Sequence, residues 1–308
     1  MPSVIAENIV KRYGTKKATV EALHGISFQV EKGELFGLIG PDGAGKTSLF
    51  RIFTTLLLPS EGKATVDGMD VVKDFKLIRN RVGYMPGRFS LYQDLTVEEN
   101  LEFFATIFNT SIRENYDLIK DIYSQIEPFK DRRAGKLSGG MKQKLALSCA
   151  LIHRPSVLFL DEPTTGVDAV SRKEFWDMLK KLKSEGITIL VSTPYMDEAS
   201  LCDRIALIQN GKLLSINTPK GVTDSFQKPL LAIHASNMLT LLNALKENDE
   251  VENVYPFGEY HHAVMQKGYD QQNLKEYLNK KGLKELEMHD VQPDIEDCFI
   301  ELMRQEEV

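Results

Sequence analysis

The chain has 308 residues, 42% hydrophobic and 27% charged, which is typical of a soluble protein with a substantial core. No run approaches the roughly 18 consecutive apolar residues of a membrane span, and "MPSVIAENIV" lacks the regions of a signal peptide, so we expect a cytosolic protein. The cysteines Cys149, Cys202 and Cys298 form no CxxC pair, which predicts reduced thiols, no zinc site and no disulfide.

The net charge of −6 is divided unevenly along the chain. Residues 230–308 carry 7 Lys and Arg against 16 Asp and Glu, a balance of −9, which leaves +3 for residues 1–229. An acidic C-terminal region argues against nucleic acid as a partner, and an ordinary solvated surface explains the charge better than any specific role does.

Residues 1–229 alternate between apolar strands and helices, the pattern of an α/β protein with a parallel sheet. Residues 3–9 and 26–31 predict short antiparallel strands. "ELFGLIG" (34–40) predicts a strand that is buried on both faces. A glycine-rich turn follows it, and "KTSLFRIFTTLL" then has helical spacing.

The middle of the chain, about residues 90–153, predicts a helical subdomain. It opens with the capping-box pair Thr96 and Glu99 and is interrupted at "GKLSGG". Beyond it, "SVLFLDEP" predicts a second buried strand, residues 169–184 a helix and "GITILVST" a third strand. "RIALIQNGKLLSINTP" then predicts a hairpin with an Asn-Gly turn.

Residues 230–308 form a second domain in this interpretation. "LLAIHAS", "ENVYPFG", "HHAVMQK" and "KELEMHD" have strand patterns, and they alternate with helical patterns at 237–248 and 270–282. That order predicts a small α+β domain of ferredoxin-like type.

"GPDGAGKT" fits G-x-x-x-x-G-K-[ST] between a predicted strand and a predicted helix. Its backbone N–H groups and the helix N-terminus suit phosphate oxygens. Lys46 would reach the β- and γ-phosphates of ATP, and the Thr47 hydroxyl would ligate Mg²⁺. A chance glycine-rich turn does not account for both flanking elements. The predicted nucleotide-binding residues are Gly40, Pro41, Asp42, Gly43, Ala44, Gly45, Lys46, Thr47 and Ser48.

Two further segments complete the predicted chemistry. "VLFLDEP" ends a buried strand with Asp161, which a parallel neighbour would bring to the metal, and Glu162, a candidate general base for the attacking water. In "KLSGGMKQ", a serine and two glycines open a helix and form a second anion-binding end. Because one chain holds one γ-phosphate, the economical explanation is that this end serves a nucleotide on another subunit; an ordinary N-capped helix is the alternative.

In this order the motifs resemble those of ABC-transporter ATP-binding subunits, over residues 3 to about 220. "FSLYQDLTVEENL" and "YMDEASLCDRIALIQNGKL" are similar to the ATPases of ABC-2-type exporters, including drug-efflux and YbhF-like proteins. The resemblance implies a P-loop (RecA-like) ABC nucleotide-binding domain, here 1–229, with its helical subdomain. It also implies a small C-terminal accessory α+β domain, here 230–308.

The resemblance also implies roles for single residues. Tyr13, in "KRYG", would stack on adenine, although a surface aromatic is the alternative. Ser138 and Gly140 would grip the γ-phosphate across a head-to-tail dimer, and Asp168 would lie at the dimer seam. The implied ligands are ATP and Mg²⁺.

The chain departs from the family's pattern at two positions. Gly87 stands where the family usually has a glutamine that senses Mg²⁺ and water, and Pro194 stands where it has a histidine that contacts the γ-phosphate. Neither residue supplies a side-chain hydrogen bond. Arg88 or Tyr195 is a possible substitute if its side chain points into the site.

Two hypotheses follow. In the first, Glu162 suffices, and the chain is a working if slow ATPase that drives a separate ABC-2-type permease docked near Gly87. In the second, the site is impaired, and the intact signature activates a different ATPase subunit in a heterodimer. Either form would be peripheral, on the cytoplasmic face of the inner membrane. A non-transport ABC ATPase, acting on ribosomes or DNA, is a runner-up that the acidic tail disfavours.

Overall fold

The computed structural model describes residues 1–15 and 18–307 of the chain. Contacts divide the chain into two compact units: Met1–Lys220 together with the chain from Leu302 on, and Gly221–Glu301. In the part of the chain that the structure describes, no helix combines the length and the apolar character needed to cross a bilayer.

The first unit contains two β-sheets and a set of helices. Its strands are β1 (Val4–Thr15), β2 (Ala18–Val30), β3 (Leu35–Ile39), β4 (Glu61–Val66), β5 (Met69–Asp70), β6 (Val82–Met85), β7 (Val157–Asp161), β8 (Thr188–Thr193), β9 (Arg204–Gln209) and β10 (Lys212–Asn217). Its α-helices are α1 (Lys46–Phe53), α2 (Phe75–Arg79), α3 (Val97–Ile107), α4 (Tyr116–Tyr123), α5 (Gly139–Leu151) and α6 (Ala169–Ser184). Short 3₁₀ helices lie at Glu127–Phe129, Ala134–Lys136 and Met196–Leu201.

The larger sheet has the strand order β10-β9-β3-β8-β7-β6. Neighbouring strands are parallel except β10, which is antiparallel to β9. Every residue of β3, β7 and β8 is buried, as expected for a parallel sheet covered on both faces. The sequence predicted these three strands and the β9–β10 hairpin but missed β6, which is only four residues long. The carboxyl ends of such strands are where open α/β sheets bind ligands.

Aromatic side chains hold α1 on this sheet. Phe50 and Phe53 of α1 pack on Phe159 of β7, with ring centroids 5.7 and 5.8 Å apart. Phe53 also meets Phe28 edge-on at 5.9 Å, and Phe28 stacks on Phe36 of β3 at 5.4 Å. Such pairs each contribute about 0.5–1.5 kcal/mol beyond the area they bury. The helix that follows the glycine-rich loop is therefore firmly anchored.

The smaller sheet is antiparallel, in the order β2-β1-β4-β5. Its first two strands are longer than the predicted segments 3–9 and 26–31, since β1 continues to Thr15 and β2 begins at Ala18. Backbone pairing between the two strands extends them through the polar sequence. Residues 16–17 lie outside the described part of the chain. The return predicted from "GKATVDGMDV" is confirmed as the β4–β5 hairpin.

The predicted helical subdomain is confirmed by α3, α4 and α5. Its capping box is formed in both directions: Thr96 Oγ1 accepts from Glu99 N at 3.1 Å, and Glu99 Oε2 accepts from Thr96 N at 2.7 Å. The buried Asn100 amide then accepts from Tyr92 N at 3.0 Å and donates to Tyr92 O at 2.9 Å. These bonds fix the segment between β6 and α3 to the start of the helix.

The chain from residue 219 on has the element order predicted for the C-terminal region. The elements are α7 (Pro219–Asp224), β11 (Leu230–His234), α8 (Met238–Lys246), β12 (Val251–Phe257), β13 (Tyr260–Met265), α9 (Gln271–Lys280), β14 (Glu287–Asp290) and α10 (Ile295–Glu307). The strands pair antiparallel in the order β12-β13-β11-β14. This βαββαβ arrangement is ferredoxin-like, as the sequence predicted.

Candidate nucleotide-binding site

The glycine-rich loop joins β3 to α1 and has a backbone that needs its glycines. Gly43 and Gly45 have φ angles of 79° and 104°, which L side chains rarely adopt. A Cβ on Gly45 would lie 2.7 Å from a methyl of Leu23, and one on Gly40 would lie 2.1 Å from Ile208 O. The loop is thus folded so tightly that only these residue types fit.

Backbone hydrogen bonds hold the rest of the loop. Ala44 N donates to Pro41 O at 3.3 Å, and Gly211 N of the β9–β10 turn donates to Ala44 O at 3.0 Å. Ala44 is buried, Asp42 is exposed, and Thr47 lies half-buried in the first turn of α1. The helix N-terminus has no side-chain cap, so its first N–H groups are available to an anion.

Lys46 links the loop to the acidic strand. Its side chain is 3% exposed, and Nζ donates to Gly40 O at 2.7 Å and to Pro41 O at 2.9 Å. The same Nζ lies 3.1 Å from Glu162 Oε1. The cation of the loop and the candidate general base therefore lie in contact.

Asp161 and Glu162 lie where β7 ends, beside the end of β8. Asp161 is 2% exposed and accepts a hydrogen bond from Ser192 Oγ at 2.6 Å. Glu162 N donates to Ser192 O at 3.0 Å. Glu162 has a φ of 51°, an unfavourable angle for a non-glycine residue that typically persists where surrounding contacts impose it. Ser192 is a positioning residue that sequence analysis missed; its only signal was a polar residue ending an apolar strand.

Tyr84 of the neighbouring strand β6 is a second residue that the sequence did not single out. Burial, followed by the charge of Asp161, raises the pKa of Tyr84 to about 12. The phenol therefore remains protonated at any physiological pH, as a neutral group beside the carboxylate.

Tyr13 of β1 lies next to the start of α1. Its hydroxyl is 3.0 Å from Ser48 Oγ, its side chain is 40% exposed, and Lys11 Nζ lies 5.2 Å from the ring centroid. The structure thus brings an accessible aromatic face to the edge of the glycine-rich loop. We call these residues (Gly40–Ser48 with Tyr13, Asp161 and Glu162) the phosphate-loop group.

The predicted signature residues form another group, at the start of α5. Ser138 is the N-cap of α5 and accepts from Met141 N at 3.3 Å. A Cβ on Gly140 would lie 2.7 Å from Ser171 Oγ and 3.0 Å from Ser171 Cβ, so α5 and α6 approach each other closely at this glycine. Ser138 is exposed and Gly140 half-exposed, which leaves the helix N-terminus accessible.

Asp168 belongs to the same group through Ser171. It is the N-cap of α6 and accepts from Val170 N at 3.1 Å, Ser171 N at 3.0 Å and Ser171 Oγ at 2.7 Å. The hydrogen bonds from Ser171 hold the pKa of Asp168 below its usual value. We call Ser138, Gly140 and Asp168 the signature group.

Gly87, one of the two departures from the family's pattern, lies beside the acidic strand end. A Cβ on Gly87 would be 3.0 Å from Asp161 O, so the backbone here approaches the acidic strand closely. Pro194 follows β8, and the Tyr195 ring lies against Arg172, whose guanidinium carbon is 4.3 Å from the ring centroid. Tyr195 is therefore engaged with α6. Arg88 is exposed.

A cavity of about 820 Å³ lies beside β6, between the larger sheet and the helical subdomain. Its lining is mainly apolar and includes Met85, Leu91, Phe104, Cys149 and His153. The His153 ring stacks on Phe108 at 3.8 Å, and burial lowers its pKa, so the imidazole is neutral at pH 7. The sequence showed no sign of this cavity, because its walls come from elements far apart in the chain.

Comparison with known proteins gives a consistent result. The family model described as ABC transporter matches residues 23–165. The probable multidrug ABC transporter ATP-binding protein YbhF of Escherichia coli (strain K12) is 38% identical over 280 residues, which are 89% of this chain and 48% of YbhF. The chain thus spans about half the length of that relative.

Two further proteins match over most of their own length. The Nod factor export ATP-binding protein I of Rhizobium sp. (strain N33) is 35% identical over 300 residues, which are 95% of this chain and 96% of that protein. Among solved structures, the dimeric post-hydrolysis state of the ATP-binding cassette MJ0796, bound to ADP and Pi, has a TM-score of 0.64. It is 26% identical and covers 70% of this chain and 98% of that one.

Proposed function

Because the chain belongs to the family of ABC transporter ATP-binding proteins, we propose that it binds and hydrolyses MgATP to drive an exporter with a separate permease. One observation carries the proposal. Lys46 Nζ donates to the carbonyls of Gly40 and Pro41 and lies 3.1 Å from Glu162 Oε1. This contact supports phosphate binding and general-base chemistry at one point.

The phosphate-loop group supplies the binding contacts in this proposal. Backbone N–H groups of the loop and Lys46 hold the phosphates, Ser48 lies beside them, and Tyr13 offers its exposed face to adenine. Thr47 and the buried Asp161 fit Mg²⁺. This hard cation prefers oxygen ligands and is commonly bound by protein oxygens and phosphate oxygens together. When bound, Mg²⁺ neutralises charge on the phosphate oxygens.

Glu162 acts as the general base for the attacking water. Its side chain is 23% exposed, so water can reach the carboxylate, while Lys46 and the Ser192 backbone fix its direction. General-base catalysis contributes about 10²–10⁴-fold to a rate.

The signature group serves the nucleotide of a second subunit. Ser138 and Gly140 present an accessible helix N-terminus, which attracts anions, and Asp168 lies beside it at the start of α6. A head-to-tail dimer would join this group to the partner's phosphate-loop group. MJ0796, which is similar in fold, is dimeric in its post-hydrolysis state.

The permease, for which we propose the ABC-2 type, docks its cytoplasmic helices in the apolar cavity beside β6. The lining residue Met85 lies two residues before Gly87, so a docked helix would reach the segment next to Asp161. The subunit is then peripheral, on the cytoplasmic face of the inner membrane. The C-terminal region serves as an accessory domain.

A second candidate is a hydrolysis-impaired subunit of an asymmetric heterodimer. Gly87 and Pro194 bring no side-chain donor to Glu162, and Tyr195 is engaged with Arg172. In that case the intact signature group would complete the site of a different ATPase chain.

Turnover by the purified chain tests the proposal. Glu162→Gln should lower kcat for ATP by about 10²–10⁴-fold while a fluorescent ATP analogue still binds. Glu185→Gln, an exposed glutamate at the end of α6, is the matched control and should leave both unchanged. Binding without turnover in the unmodified chain would favour the heterodimer, and absence of binding would refute both candidates.

A further inference from the structure

Glu198 is a buried carboxylate whose oxygens are matched by two hydroxyl donors. Its side chain is 1% exposed. Oε1 accepts from Thr164 Oγ1 at 2.7 Å, and Oε2 accepts from Thr193 Oγ1 at 2.6 Å. Burial of a carboxylate is unfavourable unless its oxygens are hydrogen-bonded and its charge is balanced. Both oxygens of Glu198 are therefore hydrogen-bonded, one by Thr164 on the loop after β7 and the other by Thr193 at the end of β8.

Arg172 of α6 balances the charge of the Glu198 carboxylate. Its Nε lies 3.7 Å from Glu198 Oε1, and its Nη1 lies 3.5 Å from Asp197 Oδ2. Its guanidinium carbon is 4.3 Å from the centroid of the Tyr195 ring. A cation thus lies beside the buried carboxylate and is itself oriented by its stacking on the tyrosine.

The two threonines lie on segments that flank the candidate base. Thr164 is two residues beyond Glu162, on the loop that leads to Asp168. Thr193 ends β8, next to Ser192, whose carbonyl accepts from Glu162 N at 3.0 Å. The Glu198 carboxylate therefore connects the segment after Glu162 with the strand end that supports it.

The Thr193 hydroxyl also holds the backbone around Pro194. Tyr195 N donates to Thr193 Oγ1 at 3.1 Å, while that hydroxyl donates to Glu198. The pyrrolidine ring fixes the φ of Pro194, so the turn has little freedom. Pro194 therefore offers no hydrogen-bond donor to a nucleotide, but the turn that contains it is rigid.

We propose that Glu198 is a positioning residue for Glu162. By joining Thr164 to Thr193 it locks together the loop after β7 and the loop after β8, and so keeps Glu162 directed at Lys46. The φ of 51° at Glu162 needs such support from both flanks. The proposal deepens the ATPase function proposed above and rests on it. Glu198 makes no contact with phosphate in this scheme, so it affects kcat and leaves ATP binding intact.

Steady-state kinetics on the full chain give the first test. Glu198→Ala should lower kcat for MgATP by about 10- to 100-fold with KM within about threefold, because misplacement of a catalytic group affects the chemical step. Glu198→Gln should recover part of the loss, since its amide oxygen still accepts one hydroxyl. The kcat of Thr193→Val should lie between those of Glu198→Ala and Glu198→Gln. Thr188→Val is the matched control: it is buried on the same strand, but its hydroxyl bonds Ser3 Oγ and Gly33 N.

Hydrogen exchange gives a readout that needs no turnover. Glu198→Ala should speed exchange of the amides of Glu162, Thr165 and Val167 and of Tyr195, which lie on the two loops, and Thr188→Val should not. The two measurements test the two proposals separately. A chain without ATPase activity refutes the proposed function, while hydrogen exchange in that chain still decides the role of Glu198. Unchanged exchange in either loop, acceleration spread over the whole sheet, or equal effects on kcat and KM would overturn the positioning role.

Discussion

The phosphate-loop group and the signature group lie in one unit of the molecule but are built differently. Lys46 and Asp161 are buried and bonded to the loop or to the neighbouring strand end. Ser138 and Asp168 are bonded to the first turns of their own helices, and Ser138 is exposed. The first group is organised by contacts within the chain. The second has an accessible helix end, which in our proposal serves the nucleotide of a second subunit.

The two groups also differ in what surrounds the backbone at Gly87 and Pro194 on one side and at Gly140 on the other. Gly87 and Pro194 depart from the family's pattern within the densely bonded phosphate-loop side, where Ser192 and Glu198 still support the backbone. In the signature group, a Cβ on Gly140 would lie 2.7 Å from Ser171 Oγ, so a substitution there requires the Ser171 side chain to move. Hydrogen bonds between strand ends and loops surround the first region, and close packing of α5 against α6 surrounds the second.

The largest effect is expected from variants that disable one group each, tested singly and as a mixture. Lys46→Ala and Gly140→Asp should each lower hydrolysis by at least about 10²-fold, the first through lost phosphate contacts and the second through repulsion of phosphate. In a homodimer, an equal mixture should recover up to about a quarter of the unmodified rate, because mixed dimers hold one site with both groups intact. The measurement is ATPase activity of each variant and of the mixture.

No recovery from folded, dimeric variants would contradict a shared site between two copies of this chain. That outcome would direct the search to a different ATPase partner.

A smaller effect is expected from restoring a donor on the phosphate-loop side. Pro194→His should raise kcat by about tenfold, since a positioned hydrogen bond at such a site is worth that much or more. Pro194→Ala is the control, because it removes the ring without adding a donor. Equal rates in the two variants would show that turn rigidity, and not the missing donor, sets the rate; the measurement is kcat at saturating MgATP.

The smallest effect concerns the signature side and is a pH dependence of stability. Because hydrogen bonds lower the pKa of Asp168 in the folded chain, its ionised form stabilises the fold above pH 3.8, and this is lost as pH falls through the lower folded pKa. Asp168→Asn should therefore unfold at a slightly lower temperature than the unmodified chain at pH 7. The gap should close below pH 3.8. A gap that is independent of pH in thermal unfolding would exclude the charge as its cause.

Several features were predictable because they depend on short stretches of sequence. The glycine spacing from Gly40 to Lys46, the apolar run that ends in Asp161 and the Thr96–Glu99 capping box all involve neighbouring residues. Boundaries were less predictable. The helical pattern after Lys46 continues to residue 57, whereas α1 ends at Phe53 and Thr55 adopts a left-handed φ of 62°.

By itself, the sequence determined the phosphate loop, the acidic strand end and the order of most of the longer elements in both units, since these follow from local spacing and from periodic burial. Only the tertiary structure decided that Glu198 joins Thr164 to Thr193 and that the Tyr13 hydroxyl lies beside Ser48. The physical reason is that such contacts join side chains up to 35 positions apart, and strand pairing and helix packing, which no local pattern records, bring them together.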